Sequence, residues 1–217
     1  MTPLYCDNHL LAADKPGGLL TQPSGTDEDS LEAQAKLYVK VTYSKPGNVF
    51  LEAVHRIDRP ACGIVLFART SKALTRANQA MRQKSCAKVY RAILEGRPDK
   101  DSGTLTDWLR HDDFHAEIVR PDTPEAKPCT LQYRILKPLG TRRTLVEIAL
   151  ETGRYHQIRA QFASRGWPLV GDVKYGASAA YANGAIALQH YQLTVPHPTT
   201  GEPLVIQSAL DIQSLFT

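Results

Sequence analysis

The chain has 217 residues, of which 42% are hydrophobic and 22% charged, with a net charge of +4; these proportions fit one globular domain and exclude a disordered, collagen-like or coiled-coil chain. The longest uncharged apolar run, Gly63 to Ala68, is far too short to span a bilayer, and the opening Met1-Thr2-Pro3-Leu4-Tyr5-Cys6-Asp7 has no signal-peptide pattern. Cys6, Cys62, Cys86 and Cys129 include no Cys-x-x-Cys pair, so the expectation is a cytoplasmic protein with reduced thiols and no zinc knuckle.

Taken in order, His9 to Ala13 reads as a short buried strand, closed by a turn at Asp14-Lys15-Pro16-Gly17-Gly18. Thr21 to Asp29 reads as a loop. Ser30 then caps a helix running to about Lys40, with Leu31, Leu37 and Tyr38 on one side. Gly63 to Arg69 has the length and continuous apolar character of a central strand covered on both faces. Thr70 or Ser71 caps a second helix, in which Leu74, Ala77 and Met81 recur at helical spacing. Val89 to Leu94, Leu131 to Leu136 and Thr144 to Leu150 read as strands. Tyr155 to Arg165 reads as a helix, with Gly166 where a terminating residue belongs. Ile186 to Ile206 is strand-like around a turn at Pro196-His197-Pro198. Irregular mixing of strands and helices predicts an α+β fold with a mixed, mostly antiparallel sheet, in one domain covering residues 1–217.

Charge is distributed in blocks. Residues 69–97 hold eight Lys/Arg against one acid, and residues 134–176 hold eight against three. Between them, residues 98–133 hold four against eight. Two basic segments suit a polyanionic partner, or simply a solvated charged surface.

Two segments carry candidate chemistry. In His55-Arg56-Ile57-Asp58-Arg59-Pro60 a carboxylate sits between two arginines, which favour its ionised form. Such a group on a loop before a buried strand serves catalysis, or forms a salt-bridge cluster. In Thr152-Gly153-Arg154-Tyr155-His156-Gln157-Ile158-Arg159 a basic helix start offers an anion site, or a solvent-facing surface.

The first segment, with Gly63-Ile64-Val65-Leu66-Phe67-Ala68-Arg69-Thr70 after it, resembles the signature of the RluA-type RNA pseudouridine synthases. The second, with Gly166-Trp167-Pro168-Leu169-Val170-Gly171-Asp172 and Lys174-Tyr175-Gly176, resembles that family's other signature. The likeness includes Asp14-Lys15-Pro16-Gly17-Gly18-Leu19, Lys88-Val89-Tyr90-Arg91-Ala92, His190 and His197-Pro198. Five ordered blocks are a stronger signal than one motif. Ile57, Ala61-Cys62 and Tyr155 depart from the family's usual residues. Many relatives carry a small N-terminal S4-type domain, and this chain is expected to lack one.

The resemblance implies an isomerase acting on uridines of tRNA or large-subunit rRNA, without cofactor or metal, as a monomer. It places Asp58 as the essential carboxylate, Tyr90 against the target base and Arg159 as the aspartate's basic partner. Arg56, beside Asp58, is the candidate to fill the space left by a flipped base. Lys15, Arg59, Arg154, His156 and Lys174 are candidate RNA contacts. A catalytically inactive RNA-binding or chaperone protein on the same fold is the alternative. A carboxylate hydrolase is disfavoured because the motifs contain no second acid. His111 and His115 have the spacing of a helical metal pair but no third ligand. Cys62 reads as a small buried hydrophobe rather than a nucleophile.

Overall fold

The structure is a computed structural model that describes residues 1–25 and 28–216, so the loop reading over Thr21 to Asp29 falls partly outside the described residues. In chain order the elements are β1 (Tyr5–Cys6), β2 (Leu10–Lys15), α1 (Leu31–Thr42), β3 (Glu52–Ala53), β4 (Cys62–Ala68) and α2 (Ser71–Arg82). Then come β5 (Ala87–Glu95), β6 (Ser102–His111), β7 (Ala116–Val119), β8 (Lys127–Leu139), β9 (Arg143–Leu150), α3 (Gln157–Ala163), β10 (Leu188–Pro196), β11 (Pro203–Gln207) and α4 (Ile212–Leu215). Contacts divide the chain into two compact units, one of Met1–Ala87 with His190–Leu210, the other of Lys88–Gln189 with the residues from Asp211 onward.

In the first unit the strand order is β1-β2-β4-β10, with β3 also on β4 and β11 on β10. β2 and β4 pair antiparallel from Leu10↔Ala68 to Lys15↔Gly63. All seven residues of β4 are buried, and alternation explains why. Ile64, Leu66 and Ala68, with Leu10 and Ala12, pack on Ala73 and Ala77 of α2. Val65 and Phe67, with Leu11 and Ala13, pack on Leu31, Ala35 and Val39 of α1. Successive strand residues point to opposite faces, so a strand sandwiched between two helices must be apolar throughout. Gly63 has φ +105°, and a side-chain carbon there would run into the backbone of His190, so only glycine fits this point of β4.

Both helix starts follow from their caps. Ser30 Oγ accepts from the Ala33 N–H at 3.2 Å, and Thr70 Oγ1 from the Ala73 N–H at 3.1 Å. The buried face of α1 differs from the sequence reading. Its stripe is Leu31, Ala35 and Val39, at i, i+4, i+8, which leaves Leu37 on the outer side at 63% exposure.

In the second unit the order is β5-β9-β8-β6-β7, every neighbouring pair antiparallel. Ile93, Leu145, Val170, Ala187, Ile212 and Phe216 form one core cluster, and Leu109, Ala116, Cys129 and Ala160 another. β6 and β7 have no counterpart in the sequence reading. Most of β6 is polar (Ser102, Thr104, Thr106, Asp107, Arg110 and His111), and only Leu105 and Leu109 on it are buried, so its alternation is faint. The α+β class with a mostly antiparallel sheet agrees with the expectation from sequence.

Candidate active site

In the first unit, the loop that carries Asp58 is pinned on both sides of that residue. Ile57 packs against the α1 cluster, and its carbonyl accepts from Thr21 Oγ1 at 3.1 Å. The Arg59 carbonyl accepts from the Gly18 N–H at 2.9 Å and from Lys15 Nζ at 2.9 Å. The Asp58 carbonyl closes a turn by accepting from the Ala61 N–H at 3.0 Å. Asp58 itself is half-buried, while its neighbour Arg56 is exposed.

Lys15 corrects the expectation of a phosphate contact. It is fully buried, and its ammonium donates to the carbonyls of Pro16, Leu19 and Arg59 at 3.0, 2.7 and 2.9 Å. Burial pushes its pKa down to about 8. Three donors on three carbonyls join the Pro16–Leu19 turn to the Asp58 loop, so its work is internal. Arg59 is likewise engaged, with Nε on the Gly18 carbonyl at 3.0 Å and a terminal nitrogen on Glu28 at 2.6 Å, although it stays exposed. Burial pushes the Cys62 thiol up to about 12, which leaves no thiolate for nucleophilic work.

The second unit holds Tyr90, Arg154, His156, Arg159 and Lys174. Tyr90 lies on β5 opposite Ile148 and is 9% exposed. Arg159, on α3, is buried, and its side chain grips Asp172 in a fork: Nε to Oδ2 at 2.7 Å and a terminal nitrogen to Oδ1 at 2.8 Å. Its guanidinium also lies over the Tyr175 ring, 4.8 Å from the centroid. A chain of amides seats the helix beneath. Gln157 donates to the Thr130 carbonyl and to Gln161, and Gln161 donates to the Leu105 carbonyl and Asp107. Both glutamines are buried and satisfied, so α3 is tied to β6 and β8 by hydrogen bonds as well as by packing.

The helix start is not the open anion site that the sequence allowed. α3 begins only at Gln157, and the Arg154 N–H is already taken by Gln157 Oε1 at 3.1 Å. His156 is a second correction, because it cannot offer a positive charge to phosphate near neutral pH. Burial, together with Arg159 and Lys174 nearby, lowers its pKa to about 3. Tyr175 Oη accepts from the Ala116 N–H at 2.9 Å and shares a second hydrogen bond with His156 Nδ1, also at 2.9 Å. His156 occupies left-handed backbone at φ +51° and stacks on Tyr155, with centroids 3.9 Å apart. Arg154 and Lys174 are exposed, as a phosphate contact requires.

Asp172, Tyr175, Gln157 and Gln161 had no role in the sequence reading. One signal was available for Asp172: it is the only carboxylate between Glu151 and Glu202. His111 and His115 do not share a helix. They flank the β6–β7 hairpin, whose tip is fastened by Asp112 accepting from the Phe114 and His115 N–H groups at 2.8 and 2.6 Å. His115 instead stacks on Tyr175, centroids 4.6 Å apart. Among the described residues, no three His, Cys, Asp or Glu side chains gather to hold a metal, and no helix is long and apolar enough to cross a membrane.

Residues 9–164 match the sequence pattern of a family described as RNA pseudouridylate synthase. The chain is 32% identical over 225 residues to a protein of Salmonella typhi named tRNA pseudouridine synthase C, covering 96% of this chain and 85% of that one. It is 31% identical to the Bacillus subtilis (strain 168) protein named uncharacterized RNA pseudouridine synthase YhcT, covering 94% of this chain and 67% of that one. A Haemophilus influenzae protein named dual-specificity RNA pseudouridine synthase RluA is 28% identical, over 96% of this chain and 92% of its own length. The fold matches a solved human structure, RNA pseudouridylate synthase domain containing 4, with TM-score 0.79 at 22% identity, over 96% of this chain and 88% of that one.

Proposed function

Because this chain belongs to the RNA pseudouridylate synthase family, whose members are isomerases, we propose that it converts specific uridines of tRNA or large-subunit rRNA to pseudouridine with Asp58 as the essential carboxylate. The observation that carries the assignment of Asp58 is the pinned loop. A carboxylate that must act at one atom of a flipped nucleotide gains from a fixed backbone, and here the carbonyls on both sides of Asp58 are held, by Thr21 and by Lys15 with Gly18.

The reaction breaks the N1–C1′ bond of uridine, turns the base and joins C5 to C1′; C5 loses a proton and N1 gains one. Atoms and electrons balance within the nucleotide, so no oxidant or donor group is consumed. Asp58 acts at C1′ as nucleophile, or stabilises charge on the sugar while the base is detached. Tyr90 stacks on the base and its hydroxyl assists proton transfer. Arg159 supplies fixed positive charge, and Asp172 holds it in one orientation. Arg56 takes the space that the flipped base vacates, and Arg154 and Lys174 contact phosphates.

The test is isomerisation of uridine-labelled RNA, with a tRNA transcript and a large-subunit rRNA fragment as separate arms. Wild-type protein is expected to form pseudouridine in at least one arm, and Asp58→Asn to form none while keeping its RNA affinity. A variant retaining a tenth of the wild-type rate would remove Asp58 from the essential role.

A further inference from the structure

Helix α2 carries an exposed face of one sign. From Arg69 to Leu94 the chain holds no carboxylate, and the outer side of α2 presents Lys72, Thr75, Arg76, Gln79, Arg82 and Gln83. An ordinary solvated helix intersperses signs, since pairs of opposite charge four apart stabilise it. This helix does the reverse. Lys72 and Arg76 are like charges four apart, and Lys72 sits in the first turn, where the helix dipole favours an acid. Just past the C-terminal end, Lys84 is held at φ +56°, a left-handed position that glycine adopts without strain. Its N–H bonds the Met81 carbonyl at 3.3 Å, and the Ser85 N–H bonds the Ala80 carbonyl at 3.0 Å, so this backbone turn is fixed.

Three local costs on one helix therefore all keep positive charge on its outer side. Two nearby arginines have other engagements. Arg69 donates to the Asp7 carbonyl and lies over the Tyr43 ring, and Arg76 donates to the Pro198 carbonyl at 2.6 Å. The side chains of Lys72, Arg82 and Lys84 are exposed and have no hydrogen-bond or ion-pair partner among the described residues. The inner face of α2 is spent on the core through Ala73, Ala77 and Ala80. No apolar stripe is left for a membrane or a partner helix, and a polyanion is the chemistry that fits.

We propose that the outer face of α2 and Lys84 form a second RNA contact, gripping the phosphate backbone of the substrate's helical arm. The placement suits this. Only Arg69 and Thr70 separate β4 from α2, so α2 runs back along β4, and its Arg82–Lys84 end returns toward the end of β4 that follows the Asp58 loop. Twelve helical residues reach about 18 Å, enough to follow several phosphates. The identity of the polyanion rests on the isomerase reading above.

The test is the triple variant Lys72→Gln, Arg82→Gln, Lys84→Gln, assayed by anisotropy with a fluorescein-labelled RNA hairpin carrying a uridine loop, over a potassium chloride series. The slope of log affinity against log salt should become shallower by about 2 to 3, because each phosphate contact releases condensed counterions. The single-turnover rate at saturating enzyme should stay at the wild-type value. Lys84→Gly keeps the assay decisive should the triple variant fail to fold: it relieves the backbone, so its melting temperature should hold or rise while its slope falls by about 1. Wild-type slopes in both variants would overturn the proposal, as would α2-dependent binding to phosphatidylserine vesicles in place of the hairpin. A wild-type protein that binds the hairpin with α2-dependent slope yet forms no pseudouridine would sink the isomerase reading and leave this contact standing.

Discussion

Asp172→Ala removes one side of the Arg159–Asp172 fork and leaves the other buried. The two side chains are 4% and 1% exposed, so water cannot rehydrate the guanidinium that remains. Breaking a buried pair from one side costs about 3–5 kcal/mol, most of it the penalty of an uncompensated charge. Against a total stability of roughly 5–15 kcal/mol this is a large fraction. At roughly 2–4 °C per kcal/mol for a chain of this size, the lower figure lowers the melting temperature by about 6–12 °C.

Replacing both partners by apolar residues, as in Arg159→Met with Asp172→Leu, removes two desolvation costs together with the attraction. The double variant should be markedly more stable than the sum of the two single losses. Urea denaturation of wild type, both single variants and the double variant gives the coupling energy directly. If the double variant loses as much as the two singles added together, the fork does not hold α3 to the Asp172 turn, and the ion pair is incidental. Activity separates the other half of the question. Asp172→Asn preserves shape, so it should lower the single-turnover rate with little change in RNA affinity if Arg159 must be aimed.

Lys15→Met leaves the Pro16, Leu19 and Arg59 carbonyls short of a donor, at a cost of about 1–3 kcal/mol, and should lower the isomerisation rate more than RNA affinity as the Asp58 loop loosens. A unit melting at the wild-type temperature in thermal denaturation would refute that role. His156, with a folded pKa of about 3 against an ordinary 6.5, binds fewer protons than in the unfolded chain between those values, so its contribution to stability falls as pH drops through that window and is complete above it. His156→Gln should flatten that limb of the stability profile, and NMR should find the wild-type ring neutral at pH 7. Arg154→Ala and Lys174→Ala should each make the salt dependence of RNA affinity shallower by about 1 and leave the single-turnover rate intact; equal slopes would return both to solvent.

Where the sequence was legible, one physical rule acted alone. Ser30 and Thr70 cap their helices because a hydroxyl ahead of a helix has one good use, and Gly63 to Ala68 is a buried strand because nothing but burial tolerates such a run. Leu37 shows the limit of reading apolar character without phase, since Leu31, Ala35 and Val39 had already taken the inner face of α1. β6 and β7 were hidden because antiparallel strands with one polar face need few apolar residues, and so leave little alternation to read. The site divides the same way. Motifs name residue types at fixed spacing, so Asp58, Tyr90 and Arg159 stood out, but they carry no measure of burial. Lys15 and His156 were therefore read as cations for RNA. Burial reverses both readings: it spends the Lys15 ammonium on three carbonyls and holds the His156 ring neutral. A positive charge available to a polyanion must be both protonated and exposed; Lys72, Arg82, Lys84, Arg154 and Lys174 meet the second condition, and the RNA contacts proposed above rest on them.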